Sequence, residues 1–244
     1  EHGVYHDGQH IDPQDMFNMG GLYKKMPITF ATFVIGGLAL SGFPIITAGF
    51  WSKDEILSGA FNGGFLVVFI VLAVSALLTA FYTMRQITLV FLGKPRTNAA
   101  SHAHETPYTM TLPLIVLSIF ALCAGWVGIP KAFPGIGGLL PNWFSDFVGS
   151  MLHGGEHSVE HHSLIPLFTS LFVSLGGLLT GYLVYRKMDK NSEDPMEWSL
   201  GNLYKVLSNK YYIDEFYTKA FINPAIWIAE KVVYIWMDLK IIDG

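Results

Sequence analysis

The sequence predicts an all-α integral membrane protein: a bundle of about five transmembrane helices, one of them discontinuous, followed by an amphipathic helix. Three observations lead there. Of the 244 residues, 51% are hydrophobic and only 14% charged, against about 25% charged in a soluble domain; mean hydropathy is +0.40. Uncharged runs approach or exceed the roughly 20 residues a helix needs to cross a bilayer. A cluster of ionisable residues, Ser52-Lys53-Asp54-Glu55, stands beside one such run. A soluble enzyme and a disordered tail are thereby excluded. The net charge of −4 argues against nucleic acid, whose phosphates require a basic face. Cys123, alone in an apolar run, supplies neither a disulfide framework nor a cysteine-based metal site, and reads as helix packing.

Taken in order, residues 1–26 are a polar extramembrane loop carrying His2, His6, His10, Asp7, Asp12 and Asp15, and ending in Lys24-Lys25. Pro27 suits the first turn of a helix, where its missing N–H costs nothing. The run from Pro27 to Trp51 is uncharged but interrupted by Gly36-Gly37, Gly42, Pro44 and Gly49. Residues 64–92 make a long span whose one charge is Arg85, closed by Lys94-Pro95-Arg96. A short polar loop leads to a span over 107–129, ended by Pro130. The stretch 130–162, rich in Gly, Pro and His, reads as a loop, and 163–186 is a further span closed by Arg186, Lys187 and Lys190. Residues 187–220 form a connecting segment. Asn223-Pro224 opens an amphipathic helix over 221–244, with Ile228, Val232, Ile235 and Leu239 on one stripe; such a helix lies on a membrane surface or straps onto neighbours. A start at Glu1 without a signal-peptide pattern, and an end at Ile241-Ile242-Asp243-Gly244, read as a piece of a longer protein.

Residues 27–62 admit two topologies. In one, 27–50 is a single kinked span that leaves Ser52-Lys53-Asp54-Glu55 at the surface. In the other, the chain turns near Gly42-Phe43-Pro44, so that 27–42 and 44–62 cross in opposite directions. Cytoplasmic loops collect Lys and Arg, and a single span would add Lys24 and Lys25 to the side already holding Lys94, Arg96, Arg186, Lys187 and Lys190. Charge counting thus favours one span.

Lys53 is the leading candidate for chemistry. Counted from Pro44 it lies nine residues in, or about 13.5 Å at 1.5 Å per residue, near the middle of a roughly 30 Å hydrocarbon core. An amine there loses hydration, which penalises its charged form, and an intramembrane lysine is by default a proton-relay candidate. Ser52 and Glu55 also fit a capping box, a pattern that would mark a helix start at headgroup level or, at depth, a discontinuous helix beside protein or water. Successive helical residues point about 100° apart, so Lys53, Asp54 and Glu55 do not share one cavity. Asp54 and Glu55 are expected to serve the backbone cap or a cation on another helix. Arg85 either snorkels to the nearby interface or partners a carboxylate on the interrupted helix. His153, His157, His161 and His162, interleaved with Gly and Glu, fit a solvated loop better than a metal site.

These residues carry a resemblance. Gln14-Asp15-Met16-Phe17-Asn18-Met19-Gly20-Gly21-Leu22, Lys25-Met26-Pro27-Ile28-Thr29, Ala48 to Leu57 (Ala-Gly-Phe-Trp-Ser-Lys-Asp-Glu-Ile-Leu) and Asn209 to Tyr217 (Asn-Lys-Tyr-Tyr-Ile-Asp-Glu-Phe-Tyr) are similar to the antiporter-like subunit L, or subunit 5, family of respiratory complex I. Mrp-type sodium/proton antiporters share parts of the pattern. The resemblance implies inverted repeats, each with a discontinuous helix bearing a key ionisable residue. It favours two crossings in 27–62, with 27–42 as the family's eleventh helix, 44–62 as its interrupted twelfth and 64–92 as its thirteenth. It implies that Lys53 is the midplane lysine of an output half-channel, with Asp54 its acidic neighbour, and that 221–244 begins a lateral helix clamping other membrane-arm subunits. It implies no cofactor on this chain, with NADH, FMN, iron–sulfur clusters and quinone on other subunits. The bilayer would be a bacterial plasma membrane, or a mitochondrial inner or thylakoid membrane. The other readings are a Mrp-type antiporter subunit and a structural membrane piece.

Overall fold

The computed structural model describes residues 4–6, 9–11, 14–129, 143, 147–148, 164–188, 194–231 and 234. The chain divides into two compact units, residues 1–190 and 191–244. The His-rich stretch around His153 to His162, and Val232, Ile235 and Leu239 of the expected stripe, lie outside the described residues.

The first unit is a helical bundle preceded by a two-stranded antiparallel hairpin, β1 (Val4–His6) and β2 (Gln9–Ile11). Its helices are α1 (Pro27–Ser41), α2 (Ala48–Asn62), α3 (Leu66–Val90), the short α4 (Asn98–Ser101), α5 (Tyr108–Cys123) and α6 (Leu164–Tyr185). A 3-10 segment, Ala124–Gly128, extends α5. Three of these are long and apolar enough to cross a membrane: Leu66–Val90, Tyr108–Gly128 and Leu164–Tyr185. Each coincides closely with an expected span, because a run without charges or breakers leaves helix as the one way to satisfy its backbone in lipid.

The stretch 27–62 departs from the two opposed crossings. Near the start of α1, Phe30 packs on Phe91 at the end of α3, with ring centroids 5.3 Å apart. Half-way along, Gly37 faces Thr83 and Ile87. At the far end of α2, Phe61 packs on Phe69 at the start of α3, again at 5.3 Å. Thus α1 and α2 follow one another down the whole length of α3, antiparallel to it. The α5 helix tells the same story from the other side. Glu105, just before it, meets the first turn of α1, while Gly125, just after it, stands against Ala48 and Trp51 of α2. Residues 27–62 are therefore one broken line across the bundle, and the expected spans 27–42 and 44–62 are its two halves. The physical reason is the turn geometry. Gly42 (φ +74°) and Ile45 (φ +65°) adopt left-handed backbone and end one helix, but Gly49 lets α2 continue against α1. A Cβ on Gly49 would stand 1.8 Å from the Ala39 carbonyl oxygen.

The core is tightest where small residues allow close contact. On α6, Gly177 and Gly181 abut α3: a Cβ on Gly177 would stand 2.6 Å from the Leu77 oxygen, and one on Gly181 2.7 Å from the Phe81 oxygen. Small residues four apart are the usual device for close approach of membrane helices. At the other end, Phe50, Trp51 and Ile129 form a buried cluster backed by Leu167 and Leu171. The loops holding Lys24, Lys25, Lys94, Arg96, Arg186 and Lys187 gather at one end of the bundle, the end where Gly21 and Tyr23 donate backbone hydrogen bonds to Leu92 and Phe91. That clustering is what charge counting favoured. Arg96 is buried there, its guanidinium donating to the carbonyls of Met16 and Leu89.

In the second unit, short helices Pro195–Leu200 and Asn202–Ser208 precede a longer helical run. Asp194 caps the first of them, accepting from the Met196 N–H at 3.0 Å. The run starts at Ile213, earlier than the expected opening at Asn223-Pro224, after three left-handed residues, Lys210, Tyr211 and Tyr212. A π-helical turn, Thr218–Ile222, precedes Pro224. Widening the turn there accommodates a residue that has no N–H to donate and whose ring crowds the preceding turn.

Candidate functional site

The break between α1 and α2 builds the site. Helix α1 ends on Gly42, whose N–H reaches the Ala39 carbonyl at 3.1 Å, while the Phe43 N–H takes that of Leu38 at 2.9 Å. A helix end leaves its last carbonyls without intrahelical donors and carries the negative end of the helix dipole. Lys53, in the second turn of α2, lays its alkyl chain across Gly42 and donates from Nζ to the Leu40 carbonyl. The amine thus caps the broken end of α1. Lys53 is half-buried.

The level of this group is set by its neighbours. Lys53 shares a cavity of about 10 Å³ with Ser41, Gly42, Phe50, Leu57, Ala76, Ser170, Val173 and Ser174. Ala76 lies ten residues into α3, about 15 Å along its axis at 1.5 Å per residue. That is the middle of a bundle matched to a roughly 30 Å hydrocarbon layer. The alternative that left Ser52-Lys53-Asp54-Glu55 at the surface does not describe this chain.

The capping-box reading is corrected. Helix α2 begins at Ala48, four residues before Ser52, and the Ser52 hydroxyl donates to the Gly49 carbonyl at 3.3 Å within the helix. The discontinuity lies upstream, in residues 42–47, where the Thr47 hydroxyl donates to the Phe43 carbonyl at 2.7 Å. Asp54 does not serve a backbone cap either. Its Oδ1 accepts from Ser170 Oγ on α6 at 2.9 Å. Glu55, one residue further round α2, occupies an exposed face.

Arg85 belongs to a different level. Its guanidinium lies over the rings of Tyr185 and Phe17, 5.1 and 5.7 Å from their centroids, a cation–π arrangement. Arg85 is beside Gly181, eleven residues along α6 from Ser170, or about 16 Å. The expected pairing with a carboxylate of the interrupted helix is not where Arg85 sits. The side chain instead turns toward the basic end of the bundle, as the snorkelling expectation has it. Nearby hydroxyls that offered themselves as water ligands bond within their own helix: Thr79 Oγ1 donates to the Ser75 carbonyl at 2.7 Å.

Three residues escaped the sequence reading. Glu105, in the polar loop, caps the start of α1: its carboxylate accepts from the Ile28 N–H at 2.8 Å, the Thr29 N–H at 3.4 Å and Thr29 Oγ1 at 2.6 Å. Burial pushes its carboxyl upward, but these bonds together with one from the Thr106 N–H outweigh it and hold Glu105 below the ordinary glutamate value. One signal was available: Met26, at the N-cap of α1, has no acceptor, so that end needed one from elsewhere. Ser170 and Ser174, in an apolar run, gave no sign of lining the Lys53 cavity. A second cavity, of about 460 Å³ between α1, α3 and α5, is lined without any ionisable side chain and is not where proton chemistry resides. Among the described residues no group of three or more His, Cys, Asp or Glu is arranged to hold a metal ion.

Known proteins match this chain over nearly its whole length. Residues 3–79 fit the membrane-spanning family of NADH:quinone oxidoreductase and Mrp antiporter proteins. Residues 76–235 fit the family described as NADH dehydrogenase, transmembrane segments, complex I C-terminus. Subunit 5 of the chloroplastic NAD(P)H-quinone oxidoreductase of Mesostigma viride is 36% identical over 95% of this chain and 34% of its own. Subunit L of the NADH-quinone oxidoreductase of Rickettsia bellii is 37% identical over 96% of this chain and 36% of its own. Subunit L of the F420H2 dehydrogenase of Methanosarcina mazei is 36% identical over 86% of this chain and 33% of its own. The chain spans about a third of the length of these relatives. With the second family model covering more than half of its residues, this integral membrane chain belongs to the complex I NADH-dehydrogenase family, in the C-terminal membrane-spanning part of its antiporter-like subunit L or 5.

Proposed function

We propose that this chain carries the output half-channel of a proton-translocating membrane-arm subunit of an NADH:quinone oxidoreductase, with Lys53 as the group that takes up and releases the proton. The observation that carries the reading is the position of the amine: mid-bundle, donating to the terminal carbonyl of a broken helix. Protonated, Lys53 compensates the negative end of α1. Once its proton leaves, the neutral amine no longer does so, and the cost of burying a charge is relieved at the same moment. The two effects oppose each other, so a modest change in the field along the membrane arm decides whether Lys53 holds or releases its proton. From Lys53, α2 runs away from the end that collects Lys24, Lys25, Lys94, Arg96, Arg186 and Lys187. Basic loops face the cytoplasm, so release is directed to the opposite face.

In this reading Asp54 is the acidic neighbour that modulates Lys53, and Glu55 and Arg85 stand outside the proton path. The redox work, with NADH, FMN, iron–sulfur clusters and quinone, is done by other subunits, and the partners of this chain are the rest of the membrane arm and the lipid around it. A second reading, a Mrp-type sodium/proton antiporter subunit, rests on the family description matched by residues 3–79, which names both classes; sodium-dependent transport without NADH oxidation would favour it. The deciding experiment replaces Lys53 by Ala in the assembled complex. Proton translocation per NADH oxidised falls sharply while the subunit still incorporates; unchanged translocation overturns the reading.

A further inference from the structure

Lys53 and Asp54 are consecutive on one helix and point about 100° apart, yet the neighbouring helix α6 touches both. Ser170 Oγ donates to Asp54 Oδ1 at 2.9 Å, and Ser170 also lines the cavity that holds Lys53. One turn further along α6, Ser174 lines the same cavity. Its side chain is 2% exposed, and its hydroxyl has no hydrogen-bond partner among the described residues. A buried hydroxyl left without a partner costs about 1–3 kcal/mol, and such groups are usually satisfied by protein or by ordered water. The cavity, about 10 Å³, is close to the least space that admits one water molecule, roughly 10–15 Å³ on a probe-centre measure. The polar groups around it are those a bound water needs: a hydroxyl at Ser174, a hydroxyl at Ser170 and the amine of Lys53.

We propose that Ser174 and Ser170 hold a single water molecule against Lys53, and that this water and the Ser170 hydroxyl carry the proton between the Lys53 amine and the Asp54 carboxylate. The inference rests on the reading of Lys53 as a proton carrier and adds to it the acceptor and two positioning residues. The step balances. The Lys53 ammonium gives one proton to the water, the water passes one of its own to Ser170 Oγ, and the Ser170 hydroxyl proton moves to Asp54 Oδ1. The amine ends neutral and the carboxyl ends protonated, while water and serine are regenerated. Ser174 accepts no net proton; it fixes the water. The consequence is that charge on α2 is exchanged within one adjacent pair through a second helix, so a small shift of α6 relative to α2 would interrupt it.

Two measurements on the assembled complex test this. A density map detailed enough to show ordered water should contain one within hydrogen-bond distance of both Ser174 Oγ and Lys53 Nζ. A dry site, with the Ser174 hydroxyl turned onto a backbone carbonyl of its own helix, overturns the proposal. Second, Ser174→Val fills the site with a methyl group where the hydroxyl stood. It should slow proton release several-fold, and should suppress the infrared band of protonated Asp54 that appears during turnover, whereas Ser174→Thr keeps both. Lys53→Ala serves as the reference. If Lys53→Ala stops translocation and Ser174→Val does not, the water link is wrong and the lysine reading stands; if Lys53→Ala translocates normally, the lysine reading itself has failed.

Discussion

The two ends of α1 are both capped by a charged side chain from elsewhere in the chain, and they are built in opposite ways. At the N-terminal end the cap is Glu105. A loop residue, it accepts hydrogen bonds from the backbone of Ile28, Thr29 and Thr106 and from the Thr29 hydroxyl, beside the basic loops. At the C-terminal end the cap is Lys53, an amine from the second half of the same broken line, set at mid-bundle on the Leu40 carbonyl. A carboxylate satisfied on all sides is a fixed charge. An amine on a long flexible stem, resting on a glycine and next to a small polar cavity, is one that can exchange its proton. The same helix dipole is used once for anchoring and once for switching.

The comparison breaks most severely if the two halves of the line are forced apart. Gly49→Ala would place a Cβ 1.8 Å from the Ala39 carbonyl. Overpacking of this kind against backbone costs on the order of 3 kcal/mol, and the variant should be depleted from the assembled complex when subunit content is measured. Full incorporation would mean that α1 and α2 do not approach this closely. At the anchoring end the effect is smaller. Glu105→Gln keeps an acceptor but loses the charge, costing about 0.5–1 kcal/mol at the helix terminus, and translocation should remain normal. The pH dependence follows from the folded-state carboxyl lying below its unfolded value. Its stabilisation is present above the ordinary glutamate range and disappears as pH falls through the lower folded value. Thermal unfolding of wild type and Glu105→Gln should therefore differ near neutral pH and converge in acid. The smallest effect concerns the hinge. Ile45 holds a left-handed φ of +65°, which is costly for a β-branched residue. Ile45→Gly removes that cost at the expense of a more flexible unfolded chain, for a net gain of less than about 1 kcal/mol, readable as a slightly higher melting temperature. A marked loss would show that Ile45 contributes packing the backbone argument omits.

Much of this arrangement was legible in the residues. Uncharged runs located Leu66–Val90, Tyr108–Gly128 and Leu164–Tyr185, because in lipid a long apolar segment has few alternatives to helix. Gly42 and Pro44 marked the break, and the Lys-Asp-Glu run singled out Lys53. What happens after the break was not legible. Whether the chain doubles back or continues depends on contacts of α1 with Phe91 and of α2 with Phe69, residues far away in sequence. The basic loops carried the better clue, since only a continuous line puts Lys24 and Lys25 with Lys94 and Arg96. The capping box misled for a local reason: Ser52 and Glu55 have the right spacing, but α2 already starts at Ala48 and leaves Ser52 inside. The partners of the two caps and of Asp54 lie 77, 13 and 116 residues away, and no local pattern reports such meetings. Arg85 shows the converse. Its proximity to the span's end was readable in the sequence, while its aromatic partners Tyr185 and Phe17 were not.

Lys53→Arg isolates the central claim more cleanly than removal of the side chain. Arginine keeps a cation on a long stem near the Leu40 carbonyl, preserving the cap on α1, but it stays protonated under any working condition. In the assembled complex, with incorporation verified, proton translocation per NADH oxidised should collapse in Lys53→Arg as it does in Lys53→Ala. Wild-type translocation with arginine at position 53 would mean that a fixed positive charge suffices there, and would contradict a proton-exchanging amine at the break.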